Sequence, residues 1–216
     1  MSSDLSSDLV HLLGQSPSSD ELQKHLKALA VSKGAPDIAI PEVKSYSDAV
    51  YFNFYRLGLS LLFAPINGYK PSTGAGRTDL QGSNLKLDGI DIYNASQSKD
   101  SAKQSGRSLA NPAYSAYPIT PLVIPLTPKT KDGKDRSTEL QVTSETTGKD
   151  FVTVLGEPDR KGGGSGPSSG SIGIWLEWSR DGLMVEFGGD ESRGPQAWEK
   201  GKDAVWSVIS IFPPKA

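Results

Sequence analysis

The feature that most constrains the fold is the stretch at residues 174–187, which reads Ile-Trp-Leu-Glu-Trp-Ser-Arg-Asp-Gly-Leu-Met-Val-Glu-Phe. Its aromatic and large apolar side chains suit two pleated, half-buried strands. Between them, the Asp181-Gly182 pair tolerates the positive φ that a tight turn at residues 179–182 requires. The stretch therefore predicts a β-hairpin.

A second stretch of the same kind occupies residues 51–63. Both stretches combine an aromatic first strand, an Arg-x-Gly turn and an apolar second strand. The matched positions are Tyr51 and Trp175, Phe54 and Trp178, Arg56 and Arg180, Gly58 and Gly182, Leu59 and Leu183, and Phe63 and Phe187. Because the order of features is shared, we interpret the two hairpins as parts of an internal repeat.

Helices are predicted before each hairpin. Leucines at one-turn spacing indicate two helices within residues 4–30, and Ser18 or Ser19 is expected to cap the second. Residues 144–155 are expected to form the helix of the second half, with Ser144 as its cap.

Strands are predicted after each hairpin, because apolar residues alternate at residues 85–93 and 204–212. The proline-rich segment 114–128 is expected to run extended at a sheet edge or across the surface. Three further segments are expected to be loops: a proline-containing connection at 34–47, a polar insertion at 94–111 and a charged, solvated loop at 129–136.

These elements predict an α+β protein in which two helix–hairpin–strand repeats form one antiparallel sheet with helices on one face. We expect a single domain over residues 1–216, since a chain of this length can bury a substantial core. Its parts would be repeat 1 at 4–93, an insertion and extended proline-rich connection at 94–143, and repeat 2 at 144–212.

Composition and charge argue against several classes of protein. The absence of cysteine excludes disulfides, thiolate metal sites and cysteine nucleophiles. A net charge of −2 without a basic cluster argues against a nucleic-acid partner. The polar, acidic N-terminus and the lack of a long apolar run predict neither a signal peptide nor a membrane partner, so we expect a cytoplasmic protein.

Catalytic constellations are weak in this sequence. His11 and His25 are the only histidines, and both are expected to be solvated or packed rather than catalytic. The glycine-rich residues 161–170 follow a predicted helix and lack the lysine of a phosphate-binding loop, so we interpret them as a connector. Glu177 and Glu186 are expected to share a solvated sheet face, which we prefer to a pair of hydrolytic carboxylates. We therefore predict no enzyme, metal or cofactor.

Four motifs carry a resemblance to known proteins: Val154-Leu-Gly-Glu-Pro158, Gly162-Gly-Gly164, Ile174-Trp-Leu-Glu-Trp178 and Gly182-Leu-Met-Val-Glu-Phe187. They resemble a family of small, poorly characterised soluble proteins of bacteria and fungi. The tandem plan is also similar to that of the beta-lactamase inhibitory protein and of outer-membrane assembly lipoproteins. This resemblance implies a binding module, since several of those proteins are inhibitors or assembly factors. Without cysteine or a lipoprotein signal, secretion and envelope assembly are not expected.

The aromatic residues give the candidate binding surface. Alternation places Trp175 and Trp178 on opposite faces of one strand, so at least one ring is expected to be partly exposed, although core packing is the alternative for any single ring. We predict a non-catalytic protein-interaction module, inhibitor or immunity-like, that binds a partner protein through an aromatic sheet face. A small-molecule or carbohydrate-binding protein is the alternative. The candidate binding residues are Tyr51, Tyr55, Arg56, Trp175, Trp178, Arg180 and Trp198.

Overall fold

The computed structural model describes residues 9–34, 39–95, 113–130, 132–164 and 173–215. Within these residues the chain forms three α-helices and ten β-strands. The helices are α1 (Asp20–Ser32), α2 (Gly148–Leu155) and α3 (Ala197–Lys200). The strands are β1 (Glu42–Ser45), β2 (Val50–Phe54), β3 (Leu59–Pro65), β4 (Leu85–Tyr93), β5 (Leu122–Pro125), β6 (Glu139–Val142), β7 (Arg160–Gly162), β8 (Trp175–Trp178), β9 (Leu183–Phe187) and β10 (Trp206–Ile211).

Eight of these strands form one antiparallel sheet with the order β1-β2-β3-β4-β10-β9-β8-β7. The two predicted hairpins, β2–β3 and β8–β9, lie in opposite halves of this sheet. The halves join along β4 and β10, where Ile92 pairs with Ile209. The predicted α+β class and the antiparallel sheet are confirmed.

Each half of the sheet contains one strand more than the sequence predicts. Strand β1 lies within the expected connection at 34–47, and β7 includes the first two residues of the glycine-rich segment at 161–170. Both are edge strands made mainly of polar residues, Glu-Val-Lys-Ser and Arg-Lys-Gly. Charged edge strands discourage pairing with other chains, but they lack the apolar alternation that identifies a strand in a sequence. Apart from α3, which lies between β9 and β10, the order in each half is therefore helix, strand, hairpin, strand.

The two hairpins turn in the same way. A 3₁₀ turn joins the strands of each hairpin and ends at a left-handed glycine, Gly58 (φ 65°) or Gly182 (φ 62°). Each glycine carbonyl then accepts a hydrogen bond from a later residue, Tyr93 N at 3.0 Å in the first half and Phe212 N at 2.8 Å in the second. The Arg-x-Gly sequence thus specifies one turn geometry twice.

Helix α1 matches its predicted boundaries closely. Ser19 Oγ accepts a hydrogen bond from Leu22 N at 3.4 Å, so Ser19 is the cap. Leu22, Leu26 and Leu29 are buried in the hydrophobic core that residues of both halves share. The helix predicted before it is a single 3₁₀ turn at Val10–Leu12 in the described residues.

Helix α2 begins later than predicted, and Ser144 is not its cap. Thr147 takes that position: its backbone N–H and hydroxyl both donate to Asp150 Oδ2, at 2.8 and 2.7 Å. Thr147 also forms a β-bridge with Val205, which holds it in extended conformation and delays the helix until Gly148.

The buried side of α2 packs on the second half of the sheet. The ring centroid of Phe151 lies 6.5 Å from that of Trp178 and 6.1 Å from that of Phe187. Trp178 Nε1 donates to the carbonyl of Gly156, which ends the helix, at 3.0 Å. The indole therefore buries its ring while its polar atom keeps a partner.

In the connection between the halves, the proline-rich segment contains the extended strand β5, which pairs with β6 in a separate two-stranded sheet. This pairing agrees with the prediction of an extended segment, and β6 was not predicted. The loop at 129–136 is not wholly solvated, because Arg136 forms a buried ion pair with Asp181. Its guanidinium also donates to the carbonyls of Thr127 and Leu155. Most of the predicted insertion at 94–111 lies outside the described residues.

In the described part of the chain, no helix has the length and apolarity needed to cross a membrane. The segment between β9 and β10 contains the short helix α3.

Candidate functional site

Alternation gives the large sheet two chemically different faces. One carries the buried apolar residues of the core. The other, called the open face below, carries side chains that are only half buried: Tyr51, Asp91, Tyr93, Trp175 and Glu186. Large rings and carboxylates on a partly accessible sheet face are available to a ligand, so the search for a site starts there.

A continuous row of mostly polar residues crosses the open face. Strand pairing places its eight members side by side from one edge of the sheet to the other. In sheet order they are Glu42, Asn53, Ser60, Asp91, Ser210, Met184, Glu177 and Arg160. This row is the polar counterpart of the apolar core on the opposite face.

In the first half, the row is held by hydrogen bonds between side chains. Asn53 Oδ1 accepts from Ser60 Oγ at 2.8 Å and from Tyr114 OH at 2.8 Å. Across the seam between the halves, Ser210 Oγ donates to Asp91 Oδ1 at 2.7 Å. These bonds keep short polar side chains ordered on a sheet, where their desolvation would otherwise cost free energy.

In the second half of the sheet, the row ends in an ion pair between Arg160 and Glu177. Arg160 Nη1 donates to Glu177 Oε2 at 3.0 Å, and Ser179 Oγ donates to Glu177 Oε1 at 2.6 Å. Glu177 and Glu186 share the open face as predicted, but Glu177 is only 5% exposed, so the expectation of a solvated carboxylate there is wrong. With both oxygens occupied, Glu177 is a structural residue.

A groove of about 560 Å³ lies over the first half of the open face and is called the tyrosine groove below. Strand residues lie beneath it, and the connecting segments add side chains around them. Its lining consists of Lys44, Tyr46, Asp48, Ala49, Tyr51, Asn53, Tyr55, Ser60, Asp91, Tyr93 and Tyr114. Five of these eleven residues are tyrosines, so the groove offers both ring faces and phenol groups.

The tyrosine rings of the groove contact one another. Tyr93 and Tyr114 stack with their centroids 3.6 Å apart and their planes at 2°. Tyr55 tilts against Tyr114 at 4.6 Å, and Tyr46 meets Tyr51 edge-on at 6.2 Å. Because each ring is held by a neighbour, the groove is pre-organised, which lowers the entropy cost of binding.

Burial shifts the proton affinities of the groups around the groove. It raises the pKa of Asp91, an effect that the hydrogen bond from Ser210 partly offsets. Burial also raises the pKa of Glu186, and the neighbouring Asp91 carboxylate raises it further. Burial and then the charge of Asp91 raise the pKa of Tyr93 above its ordinary value. Clusters of groups with perturbed pKa values in a cleft are often found at functional sites.

A second concavity, of about 340 Å³, lies between α2 and the segment that contains α3. Its lining is mainly apolar and includes Val152, Ile174 and Trp198, with Lys149, Lys161 and Lys202 also present. Lys161 Nζ lies 5.8 Å from the centroid of the Trp198 ring. This cavity belongs to the core side of the sheet and shares no residue with the tyrosine groove.

The seven residues predicted from the sequence do not form one patch. Tyr51 and Tyr55 lie in the tyrosine groove, whereas Trp175 is half buried in the second half of the open face, with the Arg160 guanidinium 5.8 Å from its ring centroid. Trp198 is 43% exposed beside the apolar cavity. Arg56 and Arg180 are both exposed at the hairpin turns. The remaining candidate, Trp178, is buried.

Trp178 is corrected from a surface residue to a core residue. It is 3% exposed and packs against Phe151. Trp175, on the opposite face of the same strand, is the partly exposed ring. This confirms that the strand carries one indole on each face.

Sequence reasoning did not identify the polar members of the tyrosine groove. Asp91 and Tyr93 alternate with isoleucines in β4, and this pattern of polar residues inside an apolar strand was a usable signal. Tyr114 carried no comparable signal. It reaches the groove because Ser115 N donates to Tyr55 O at 2.8 Å and Tyr117 N donates to Tyr93 O at 2.9 Å, which fixes the segment across the end of the sheet.

The described residues contain no group of three or more His, Asp or Glu side chains arranged to hold a metal ion. His25 is partly buried beside the Tyr117 hydroxyl, 3.4 Å from Nε2. Lys161 and Gly162 belong to strand β7, so the connector interpretation is wrong for these two residues. Most of the glycine-rich segment at 161–170 lies outside the described residues, and there the interpretation stays a prediction.

Comparisons of the chain with protein-family models, curated proteins and solved structures gave no match. The resemblance drawn from the sequence motifs therefore stays a prediction, and the geometry of the open face is the basis for a functional proposal.

Proposed function

We propose that this chain is a non-catalytic protein-interaction module, inhibitor or immunity-like, that binds its partner across the open face of the sheet. The observation that carries the proposal is the set of half-buried rings and carboxylates on that face, Tyr51, Asp91, Tyr93, Glu186 and Trp175. Tyr and Trp contribute large contact areas with few rotatable bonds, and they dominate the binding energy of many interfaces.

The extent of the surface supports a macromolecular partner. Tyr51 lies on β2 and Trp175 on β8, which are five strand positions apart in the sheet. With neighbouring strands about 4.8 Å apart, the two strands are separated by roughly 24 Å. A footprint of this length matches a protein surface better than a single small molecule.

The proposal includes an internal duplication with the helices on one face of the sheet. The shared order of helix, strand, hairpin and strand supports it, as do the matching turns at Gly58 and Gly182. A duplicated unit would give the open face two related halves, of which only the first carries the tyrosine groove. The cytoplasmic location stays a prediction from the sequence.

The test is affinity capture from an extract of cells that naturally make the protein. The baits are the unmodified chain, the double variant Tyr51→Ala/Trp175→Ala, and Trp198→Ala as a control. Trp198 is exposed but lies beside the apolar cavity rather than on the open face. We expect the unmodified chain and the control to retain one protein that the double variant loses, and the purified pair to reproduce the difference.

Equal retention by all three baits would place binding elsewhere and overturn the proposal. The alternative, binding of a carbohydrate or small molecule, is favoured by the concave shape of the tyrosine groove and its hydrogen-bonding floor. A thermal shift with sugars or metabolites, abolished by Tyr51→Ala in the absence of any protein partner, would support that alternative.

A further inference from the structure

The tyrosine groove is lined by more negative than positive charge. Asp48 and Asp91 are its acidic residues, and Lys44 is its one basic residue among those described. Lys44 Nζ lies 3.6 Å from Glu42 Oε1, so its charge is already balanced. Glu186 adds a further carboxylate close enough to influence Asp91 and Tyr93. The field in the groove therefore favours a cation and disfavours an anion.

The carboxylate of Asp91 has capacity for another donor. Ser210 donates to its Oδ1, and no described group donates to Oδ2 or forms an ion pair with this residue. The side chain is only half buried, so a ligand can reach it. A carboxylate with one occupied and one available oxygen suits a cationic donor such as a guanidinium or ammonium group.

The tyrosine rings supply the second component of a cation site. A cation is attracted to the face of an aromatic ring within about 6 Å of its centroid. Tyr51, Tyr93 and Tyr114 line the same groove as Asp91, and contacts with other tyrosines hold each of them in place. The rings are a second contribution beside the carboxylate, because planar aromatic faces stack well on a flat guanidinium group.

We propose that the tyrosine groove binds the cationic end of an arginine or lysine side chain presented by the partner protein, with the Asp91 carboxylate as its counter-charge. Arginine fits best, because its planar guanidinium stacks on aromatic rings and donates several hydrogen bonds in a fixed geometry. This inference rests on the proposed function and specifies the chemistry of the partner: a basic loop or peptide.

The test uses capped arginine, Nα-acetyl-arginine amide, as the probe. Nα-acetyl-citrulline amide is the matched control, since it has nearly the same shape without the charge. Backbone amide shifts of ¹⁵N-labelled protein report both affinity and location. We expect saturable shifts at β3 and β4 with arginine at millimolar concentrations, and binding of citrulline weaker by about tenfold or more, because charge-assisted hydrogen bonds are roughly twice as strong as neutral ones.

Two substitutions on one strand provide the protein controls. Asp91→Asn removes the counter-charge while keeping the acceptor for Ser210, and it should weaken arginine binding about tenfold or more. Asp88→Asn makes the same change at an exposed position of β4 and should leave binding nearly unchanged. The amide spectra and melting temperatures of both variants show whether they fold. Equal binding of arginine and citrulline, or no effect of Asp91→Asn, would overturn the inference.

The sequence itself supplies cations at Lys99, Lys103 and Arg107, between the strand that carries Asp91 and the segment that carries Tyr114. Repeating the titration with these three residues changed to Gln removes them as competitors of the arginine probe. The absence of saturable shifts in this variant as well as in the unmodified chain would also overturn the inference.

Failure of this inference is distinguishable from failure of the proposed function. A partner captured through the open face but insensitive to Asp91→Asn would leave the interaction module intact and refute the cation site. Arginine binding without any protein partner would support the cation site and refute the interaction module.

Discussion

Asp91 and Ser210 join the two halves of the sheet through a side-chain hydrogen bond of 2.7 Å, formed where β4 pairs with β10. The bond lies at the centre of the open face, between a half-buried carboxylate and a serine hydroxyl. Burial raises the pKa of Asp91 in spite of this bond. Burial therefore makes the ionised form of Asp91 less favourable in the folded protein, as is often the case for groups retained for binding.

We predict that Asp91→Asn stabilises the protein at pH 7. The folded state binds the Asp91 proton more tightly than the unfolded state, so the unmodified protein gains relative stability as the pH falls through the raised pKa. Asn imitates the protonated form at every pH. The gain should be roughly 0.5–2 kcal/mol at pH 7 and should shrink towards pH 3. Urea unfolding at both pH values measures it.

The control for this prediction is Asp88→Asn, which removes a carboxylate from an exposed position of the same strand. It should change the free energy of unfolding by no more than about 0.5 kcal/mol. A loss of stability in Asp91→Asn at pH 7 would contradict the assignment of Asp91 as a destabilising charge.

Replacement of the glycine in either hairpin turn by alanine is predicted to destabilise the protein. A Cβ at Gly58 would lie 2.2 Å from Ser115 O, and one at Gly182 would lie 2.0 Å from Phe212 O. Each residue also has a positive φ. Alanine at either position should cost more than about 2 kcal/mol, since it adds a backbone collision to the usual strain of 1–2 kcal/mol. Thermal unfolding of the single variants measures the loss.

The variant Gly68→Ala is a control that separates the two causes of that loss, backbone strain and collision with a neighbouring atom. Its φ is also positive, at 75°, but no heavy atom lies within 4 Å of a Cβ built there. Gly68→Ala should therefore show the conformational cost alone, about 1 kcal/mol. If all three alanine variants lost the same stability, close approach of the backbone would not be the reason for glycine at the turns.

These turns also show what the sequence determines by local chemistry. Aromatic strands and an Arg-x-Gly turn were sufficient to predict both hairpins, because strand alternation and the left-handed glycine act within a few residues. The same holds for α1, whose leucine stripe and Ser19 cap are adjacent in sequence. The strands β4 and β10 were found in the same way.

The tyrosine groove could not be predicted in this way, because long-range register creates it. Tyr114 meets Tyr93 only after the chain crosses the end of the sheet, and Asn53 meets Tyr114 through a hydrogen bond between residues 61 positions apart. The edge strands β1 and β7 were missed for another reason. Their positions follow from the neighbouring strands rather than from any apolar pattern of their own.

Breaking the buried ion pair of Arg136 and Asp181 is predicted to destabilise the protein strongly. Their side chains are 5% and 3% exposed. Asp181→Asn would leave the guanidinium buried without its counter-ion, and removal of one partner of a buried pair costs about 3–5 kcal/mol. Guanidinium chloride obscures ionic effects, so urea unfolding is the appropriate measurement.

An exposed pair in the same loop is the control. Lys129 and Asp135 lie 3.8 Å apart with side chains 66% and 90% exposed. Asp135→Asn should cost no more than about 1 kcal/mol, as is usual for surface pairs. Comparable losses for Asp181→Asn and Asp135→Asn would show that burial does not strengthen the first pair.

The two indoles of β8 are predicted to respond differently to truncation. Trp178 is 3% exposed and packs against Phe151, so Trp178→Ala should cost about 3–5 kcal/mol. Trp175 is half buried on the open face, and Trp175→Ala should cost about 1 kcal/mol. Chemical unfolding of both variants measures the difference. A large loss for Trp175→Ala would assign its ring to the fold rather than to partner binding.

His25 is predicted to make the protein sensitive to mild acid. Burial, followed by the charge of His11, lowers its pKa from 6.5 to about 4. The unfolded chain therefore binds this proton at a higher pH than the folded protein, and stability falls as the pH drops from about 6.5 to about 4. The full shift corresponds to at most about 3 kcal/mol, and solvent screening of a partly accessible ring reduces it. Urea unfolding in steps from pH 7 to pH 4 measures the slope.

The variant His25→Gln isolates this contribution from that of the carboxylates, which titrate in both proteins. Glutamine is neutral throughout this range, and its amide can still bond to the Tyr117 hydroxyl, which lies 3.4 Å from His25 Nε2. The variant should therefore lose less stability between pH 6.5 and pH 4 than the unmodified chain does, with the two curves converging or crossing at the acidic end. Parallel curves over this range would mean that His25 accepts its proton equally well in the folded and unfolded states, and that the burial of His25 on α1 does not restrict its titration.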